Sequence, residues 1–409
     1  MRLLLFCPHF EPDLHAATGE VTTQLVKSLA KLDYKITVVT SLPWYRGHSV
    51  EAEWRGRPWR LEKTSWGKIV RVWPFPTDKS NIAARAFGFV GFTGLATFKG
   101  LFAGKHDVVM GMSPPIFLGE AAYLAAKKNR APFVFNTQDI FPDVAVELGM
   151  LTNKKVISLA SRYEKSLYKR ADAVTVLSED QEINVRSKLD IKSHDKTNVI
   201  HNFVDTNRIK PVDKEGEYRR KHGLVGKTVV MYSGNVGLSQ SFDLIKFAAE
   251  HFRSNKDLVF VINGEGAARP EVDSWAKELD NVMVNNFGPR EEVSSILGAA
   301  DLHLILLKKG LAKSSTPSKL YGILASGRPV LASVDKGSEV SNVIDKANAG
   351  CSVQPDHPGS FVEAIDSMLK DSKQLAKLGV NGREFAENWL SPDRQAKSYD
   401  SLFRSLVER

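Results

Sequence analysis

Cysteine is scarce in this sequence, and that scarcity excludes a fold held together by disulfide bonds. Cys7 and Cys351 are the only cysteines, and they lie far apart in the 409-residue chain. This usage fits a reducing compartment. No group of cysteine and histidine residues has the spacing of a zinc site. This spacing predicts no zinc site, and we expect no cofactor for this chain.

Long apolar runs are also missing. A helix that spans a membrane needs roughly 20 consecutive apolar residues, and no stretch of the sequence provides them. The apolar run at residues 3–7 is too short for a signal peptide. No Gly-x-Gly-x-x-Gly opens the first predicted helix and no Gly-x-Ser-x-Gly is present, which disfavours nicotinamide dehydrogenases and α/β hydrolases.

The net charge of +9 indicates an anionic partner. Nucleic acid, anionic lipid and phosphorylated small molecules all fit that charge. The basic residues do not form one tract and no nucleic-acid-binding motif is present, so we expect no nucleic acid partner. A chain of 409 residues exceeds one ordinary hydrophobic core, which predicts two domains.

Apolar strand segments alternate with amphipathic helical segments along most of the chain. Residues 3–7, 20–32 and 36–40 predict a strand, a helix and a second strand, and the same alternation restarts at residue 228. The polar segment 210–227 is interpreted as the connection between two domains. The pattern predicts two α/β domains with parallel sheets, which face each other across a cleft and bind ligands at the carboxyl ends of their strands.

Aromatic and basic residues accumulate between residues 41 and 104. An apolar helix is predicted at residues 81–104, with phenylalanines and nearby basic residues. The aromatic and basic residues in and beside this segment are Trp44, Trp54, Trp59, Trp66, Trp73, Arg85, Phe87, Phe89, Phe92, Phe98, Lys99, Phe102 and Lys105. A helix in the protein core and a helix on a membrane surface are equally supported by this composition.

Four loops follow predicted strands where a parallel sheet binds ligands. They are residues 16–19, 233–237, 264–266 and 316–319. Glycine in three of them allows a ligand to approach backbone N–H groups. The fourth places Lys319 at a predicted helix start, where a lone lysine is most simply a solvated side chain. Together with the other loops, Lys319 becomes the candidate anchor of a diphosphate.

Longer motifs occur in a characteristic order. They are Thr18-Gly19-Glu20, Asp139-Ile140-Phe141-Pro142-Asp143, Ala145 to Gly149, Ala171 to Ser178, His201-Asn202-Phe203-Val204-Asp205, Tyr232-Ser233-Gly234-Asn235, Gly264-Glu265-Gly266 and Pro317-Ser318-Lys319-Leu320 with Ala325 to Val330. With these motifs the chain resembles the retaining GT-B glycosyltransferases of family four. It is most similar to the branch that builds bacterial surface polysaccharide such as O-antigen and capsule, and within it to L-fucosamine transferases.

The resemblance implies two Rossmann-like domains with separate tasks. Residues 1–208 and the C-terminal helix 392–409 would bind the acceptor, and residues 209–391 would bind a nucleotide-sugar without a metal. Lys319 would stabilise the leaving diphosphate, and Asp139 is a second catalytic candidate. The implied donor-binding residues are Gly19, Gly234, Asn235, Gln240, Glu265, Arg290, Ser318, Lys319, Leu320 and Glu339.

Several positions depart from the family pattern. Ser314 and Gly322 stand where many members have a pair of glutamates. Asn235 and Gln240 replace an arginine and a lysine, so Lys319 must contribute more, or Arg290 or Lys313 assists. A histidine after the fourth strand of the first domain is missing, and Asp139 is the nearest polar substitute. A simple helix cap or loop turn is an equal interpretation of Asp139.

The implied reaction is transfer of a sugar, an N-acetylated hexosamine, from a UDP-sugar to a saccharide linked to polyprenyl diphosphate. The enzyme would work in the cytoplasm, bound peripherally to the anionic inner face of the cell membrane. Two alternatives remain open. One is a nucleotide-sugar epimerase of the same fold, and the other is an inactive lipid-binding subunit.

Overall fold

The computed structural model describes residues 1–14, 17–45, 49–77, 82–147, 149–311 and 319–408. The chain divides into two compact units, Met1–Asn202 with Pro392–Arg409, and Phe203–Ser391. The first unit ends six residues before the expected position 208. Residues 203–208 belong with the second unit because Val204 N–H donates to the Leu390 carbonyl (3.0 Å) and Arg383 donates to the Thr206 carbonyl (3.0 Å).

The first unit is built around a single sheet with helices on its faces. Its strands are β1 (Arg2–Phe6), β2 (Lys35–Ser41), β3 (Trp59–Thr64), β4 (Gly67–Val72), β5 (Val108–Ser113), β6 (Phe133–Thr137), β7 (Ala173–Val176) and β8 (Thr197–Val199). Its first helices are α1 (Ala17–Ala30), α2 (Ile82–Leu101), α3 (Leu118–Asn129), α4 (Asp143–Glu147), α5 (Lys154–Arg170) and α6 (Glu179–Ser187).

The second unit repeats this organisation. Its strands are β9 (Thr228–Ser233), β10 (Leu258–Asn263), β11 (Val282–Asn285), β12 (Leu302–Leu306), β13 (Val330–Ser333) and β14 (Gly350–Val353). Its helices are α7 (Glu217–His222), α8 (Asp243–His251), α9 (Arg269–Ala276), α10 (Val293–Gly298), α11 (Lys319–Ala325), α12 (Glu339–Ala347), α13 (Pro358–Lys370) and α14 (Ser372–Trp389). The last helix of the chain, α15 (Pro392–Val407), belongs to the first unit.

Both sheets reverse their strand order at one point. Within the described residues the first sheet has the order β3-β4-β2-β1-β5-β6-β7-β8, and the second has β11-β10-β9-β12-β13-β14. All neighbouring strands pair in parallel except β3, which is antiparallel to β4. The order reverses between β1 and β5 and between β9 and β12. Ligands bind at such switch points because the following loops diverge there and leave a crevice.

Buried apolar strands explain why these segments form central sheets. Every residue of β5, β6, β7, β12 and β13 is buried, as expected for parallel strands covered by helices on both faces. β3 instead alternates between exposed and partly exposed residues at the sheet edge. Its polar composition explains why the sequence did not predict it as a strand.

Helix α15 packs on α1 of the first unit. Ser28 Oγ donates to Asp393 (2.7 Å), Tyr34 Oη donates to Asp400 (2.7 Å), and Phe403 is fully buried. The helix begins at residue 392 as expected and ends at Val407, two residues before the expected position 409. Its apolar positions cover one side of the sheet that carries β1.

The predicted connection at residues 210–227 is wrong, because this segment is part of the second unit. It contains α7, and Arg219 is completely buried although its guanidinium is charged. The guanidinium donates to Asp301 (2.6 Å), to Glu215 (2.6 Å) and to the Ala299 carbonyl (2.8 Å). These partners compensate its desolvation, so a highly charged segment is packed into the domain.

Helix α2 is apolar on two faces. Phe92 and Ala96 are buried against the sheet, whereas Phe87 is 83% exposed and Phe102, just after the helix, is 69% exposed. Lys99 Nζ lies 3.4 Å from the centroid of the Trp59 ring. In the part of the chain that the structure describes, no helix is both long and apolar enough to cross a bilayer. Helix α2 therefore has one face in the core and one exposed apolar face, and its predicted position on a membrane surface stays a prediction.

Candidate functional site

Two of the predicted ligand loops lie against each other at the switch point of the second sheet. The loop after β9 and the loop after β10 are joined by Val236 N–H, which donates to the Glu265 carbonyl (2.9 Å). A Cβ placed on Gly264 would lie 1.9 Å from the Gly234 carbonyl oxygen, so a larger residue cannot replace this glycine without moving the loops. Close backbone packing therefore fixes the first half of the candidate site.

Lys319 lies directly over the first of these loops. A Cβ on Gly234 would lie 3.0 Å from Lys319 Nζ and 3.1 Å from Lys319 Cε. The ammonium donates to Tyr232 Oη at 2.5 Å and lies 4.0 Å from the centroid of the Tyr232 ring. Burial lowers the pKa of Lys319 to about 7, since desolvation disfavours the charged amine. The structure thus brings Lys319 and Gly234 together, as the sequence predicts.

Tyr232 is a member of the site that the sequence analysis missed. Its ring is fully buried, and its hydroxyl accepts from Lys319 while it donates to the Asn235 carbonyl (2.6 Å). Burial raises the pKa of Tyr232 far above its usual value, so the hydroxyl keeps its proton. Tyr232 therefore positions the amine on one side and the glycine loop on the other. Its position at the end of a buried strand was the available signal.

Three other predicted donor-binding residues surround this loop. The side chains of Asn235 and Glu265 are exposed. Gln240 Oε1 accepts from Gly237 N–H (2.9 Å), and its amide donates to Ser239 Oγ (2.7 Å). The Gln240 side chain thus closes the loop on itself. Its predicted direct contact with a ligand remains a prediction, whereas its contribution to loop geometry is observed.

The remaining predicted residues of this unit have different environments. Leu320 belongs to the hydrophobic core, so its side chain is not part of an open site. Glu339 is the buried first residue of α12. Burial of Tyr321, together with the nearby charge of Glu339, raises the pKa of Tyr321. Arg290 is partly buried, and desolvation lowers its pKa. Ser318, like Lys313, Ser314 and the predicted helix start at 316–317, lies outside the described residues.

Gly322, which occupies a family glutamate position, faces apolar side chains. A Cβ there would lie 3.5 Å from Leu297 Cδ1 and 3.7 Å from Ile209 Cδ1, in ordinary van der Waals contact. A side chain at this position is therefore sterically possible. The absence of a carboxylate at residue 322 is a property of this sequence and not a consequence of crowding.

Gly19 and Asp139 lie in the first unit. Gly19 is the third residue of α1, which begins three residues earlier than predicted, and a Cβ on it would lie 2.3 Å from the Asp13 carbonyl oxygen. Gly19 thus allows a close approach of the protein's own backbone. Asp139 follows β6 in a bend, and burial raises the pKa of its carboxyl group. Asp139 is not the N-cap of α4, which begins at Asp143.

The geometry of the second unit suits an anion. A lysine, a neutral tyrosine hydroxyl and two glycine loops converge at the carboxyl edge of a parallel sheet. Arg269, also missed in the sequence, supports the second loop by donating to the carbonyls of Gly264 and Asn285. Among the described residues, no group of three or more histidine, cysteine, aspartate or glutamate side chains is arranged to hold a metal.

Comparisons with known proteins agree with this division. The family model "Glycosyltransferase Family 4" matches residues 18–208, and the model "Glycosyl transferases group 1" matches residues 214–385. The putative colanic acid biosynthesis glycosyl transferase WcaI of Escherichia coli is 25% identical over 98% of both chains.

Two solved structures share the fold. Sucrose-phosphate synthase of Thermosynechococcus elongatus has a TM-score of 0.77 at 16% identity and covers 100% of this chain and 99% of its own. HepE of Anabaena in complex with UDP-glucose has a TM-score of 0.69 at 14% identity and covers 99% of this chain and 100% of its own.

We predict that Lys319→Ala weakens the binding of inorganic pyrophosphate at pH 6.5 by about tenfold or more. The substitution removes a charge-assisted hydrogen bond, which contributes roughly 1.5–3 kcal/mol. Isothermal titration calorimetry measures the dissociation constant. Lys256→Ala is the matched control, because Lys256 precedes β10 at the opposite edge of the sheet and pairs with Asp280 (2.6 Å).

The same titration tests the protonation of Lys319. Above pH 7 the free amine is neutral, so anion binding must first take up a proton and loses up to about tenfold in affinity per pH unit. Pyrophosphate itself titrates in this range, so the ratio between wild-type and Lys319→Ala affinities is compared from pH 6 to 9. The ratio should fall as the pH rises; a ratio that stays constant contradicts the assigned role.

Proposed function

We propose that this chain, which is a GT-B glycosyltransferase built from a family 4 module and a group 1 module, transfers a sugar from a UDP-sugar to a lipid-linked saccharide. The anomeric configuration is retained in this proposal. The observation that carries it is the placement of Lys319 over the Gly234 loop in the group 1 module. HepE, which has the same fold, is in complex with UDP-glucose.

The chemistry of the leaving group explains what the site contributes. When the bond between the anomeric carbon and the diphosphate oxygen breaks, negative charge grows on the β-phosphate. A donor that is already in place stabilises this charge without reorganisation. In our proposal Lys319 supplies the positive charge, and Tyr232 holds the amine over the loop. The protein groups then replace a metal ion, so the reaction proceeds without one.

The acceptor is proposed from the relatives and from the first unit. The E. coli relative is named for colanic acid biosynthesis, which supports a role in bacterial surface polysaccharide such as O-antigen or capsule. In our proposal the acceptor is a saccharide linked to polyprenyl diphosphate, and the family 4 module binds it. An N-acetylated hexosamine, with L-fucosamine as the most specific candidate, is the sugar we propose to be transferred.

An exposed surface on α2 supports peripheral binding to the inner face of the cell membrane. We call the exposed side chains of Phe87, Val90, Phe98 and Phe102 the α2 surface. Two cations border it, since Lys99 lies over Trp59 and Lys128 Nζ lies 4.3 Å from the centroid of the Phe102 ring. Apolar side chains next to lysines match the interface of an anionic bilayer.

The transferase assay tests the function directly. The full chain is incubated with a panel of UDP-sugars and with undecaprenyl-diphosphate-linked N-acetylglucosamine in phosphatidylglycerol vesicles. We expect UDP release, with one UDP-N-acetylhexosamine as donor, only when the acceptor is present. Isomerisation of a donor without acceptor identifies an epimerase instead. Vesicle binding without any UDP binding identifies an inactive lipid-binding subunit.

A double substitution on the α2 surface tests the proposed membrane binding. The double substitution Phe87→Ser with Phe98→Ser should weaken binding to phosphatidylglycerol vesicles at least tenfold, because burying each phenylalanine in the interface contributes roughly 1.5–3 kcal/mol. Vesicle sedimentation measures the affinity. Phe247→Ser, which alters an exposed phenylalanine on α8 of the second unit, is the control. Equal binding by all three proteins contradicts docking through the α2 surface.

A further inference from the structure

A buried histidine–aspartate pair lies at the switch point of the first sheet. His9 and Asp13 belong to the loop between β1 and α1, at the carboxyl end of β1 where the strand order reverses. His9 Nδ1 lies 3.2 Å from Asp13 Oδ2, and the two residues are 8% and 2% exposed. Neither residue is part of the candidate anion site in the second unit.

The surroundings of Asp13 keep it ionised. Burial alone pushes the pKa of Asp13 upward, but hydrogen bonds from His9 and from the backbone N–H groups of Trp44 and Tyr45 outweigh it, so the pKa lies below its usual value. An ionised carboxylate accepts the hydrogen bond from Nδ1–H. When the ring of His9 is neutral and directs Nδ1–H at Asp13, its lone pair is on Nε2, and this tautomer accepts a hydrogen bond at Nε2.

Nε2 of His9 makes no hydrogen bond within the described part of the chain. Oδ1 of Asp13, beside it, is buried without a hydrogen bond among the described residues. A buried polar atom without a partner costs free energy, and such atoms recur where a ligand completes the arrangement. The pair is thus held tightly on one side and lacks a hydrogen-bonding partner on the other.

Two aromatic rings enclose the histidine. The Trp44 ring stacks near His9 with a centroid distance of 6.0 Å and an interplanar angle of 29°, and the Tyr45 ring presents its edge at 5.0 Å. Both rings are partly exposed. Aromatic walls around one oriented polar atom are typical of a small-molecule site, and aromatic faces pack well on the C–H groups of a sugar ring.

The site around His9 differs from the anion site in the charge of its side chains. The carboxylate of Asp13 repels a phosphate, and no lysine or arginine contacts the His9 ring within the described residues. The backbone of this loop is also fixed, because the Asp13 carbonyl packs on Gly19. A neutral hydroxyl-bearing ring, and not a diphosphate, is the matching ligand.

We propose that His9, oriented by Asp13, accepts a hydrogen bond from a hydroxyl group of the acceptor sugar, and that Trp44 and Tyr45 hold the sugar ring. This inference rests on the proposed transferase function and adds the residue that recognises the acceptor. His9 is a binding residue for the acceptor, and Asp13 is its positioning residue. Donor binding does not involve either of them.

The test compares substitutions of His9 in the full chain. His9→Phe keeps the ring and its packing but removes the hydrogen-bond acceptor. It should lower kcat/KM for undecaprenyl-diphosphate-linked N-acetylglucosamine by about tenfold or more, chiefly through a higher KM, while the dissociation constant for UDP is unchanged. His9→Gln retains an amide oxygen and should keep more activity than His9→Phe.

His106→Phe is the matched control. His106 is buried in the same unit, but it precedes β5 and so lies at the amino ends of the strands, away from His9. Its Nε2 forms a hydrogen bond with Thr37 Oγ1 (3.0 Å). Its substitution should leave the KM for the acceptor unchanged. An unchanged acceptor kcat/KM in folded His9→Phe overturns the inference while leaving the transferase function intact. A wild-type chain that neither binds UDP nor transfers sugar contradicts the proposed function itself.

The tautomer of His9 provides a second measurement that needs neither activity nor ligand. Nitrogen-15 NMR of the histidine-labelled wild-type protein, with His9→Gln to assign the signal, should show that the neutral ring of His9 carries its proton on Nδ1 and its lone pair on Nε2. A ring protonated at Nε2 cannot accept a hydrogen bond from the sugar hydroxyl. That result overturns the inference even if no variant is active.

Discussion

The contact between the Lys319 amine and Tyr232 is the interaction on which the candidate donor site depends. Burial removes the amine from water and disfavours its ammonium form, so the pKa of Lys319 falls to about 7. A bound anion stabilises the ammonium form of this amine, so the amine favours anion binding. The fully buried Tyr232 hydroxyl also links the amine to the Asn235 carbonyl, so charge and loop geometry are coupled through one side chain.

The two units place chemically different groups at equivalent positions. Each sheet reverses its strand order once, and each reversal is followed by a loop with the candidate groups. In the second unit these groups are the Lys319 amine and two glycine loops, which in our proposal bind a phosphate. In the first unit they are His9, an anionic Asp13 and aromatic rings, which suit a neutral sugar. In our proposals the same architecture thus provides two ligand sites of opposite preference, each at the switch point of a doubly wound sheet.

The central strands and the glycine loops that follow them were predictable because they depend on local patterns. Apolar runs mark buried parallel strands, and glycine loops after strands indicate close ligand approach. Tyr232 was part of a motif but was given no role, because its partner Lys319 is distant in sequence. His9 was not identified, because the Trp44 and Tyr45 rings beside it belong to another part of the chain. The segment around Arg219 was misjudged as a connection for the same reason. Charge in a sequence indicates exposure only when no distant partner, here Asp301, compensates its burial.

Hydrogen-exchange mass spectrometry of the full chain with and without UDP tests the central claim most directly. If the diphosphate binds over Gly234 beside Lys319, UDP should slow amide exchange in peptides that cover residues 232–240, 264–268 and 319–325. Peptides of the first sheet's loop at residues 7–14 serve as the internal comparison, since that loop is assigned to the acceptor. Protection confined to the first unit, or the absence of protection around Gly234 at saturating UDP, would contradict the account.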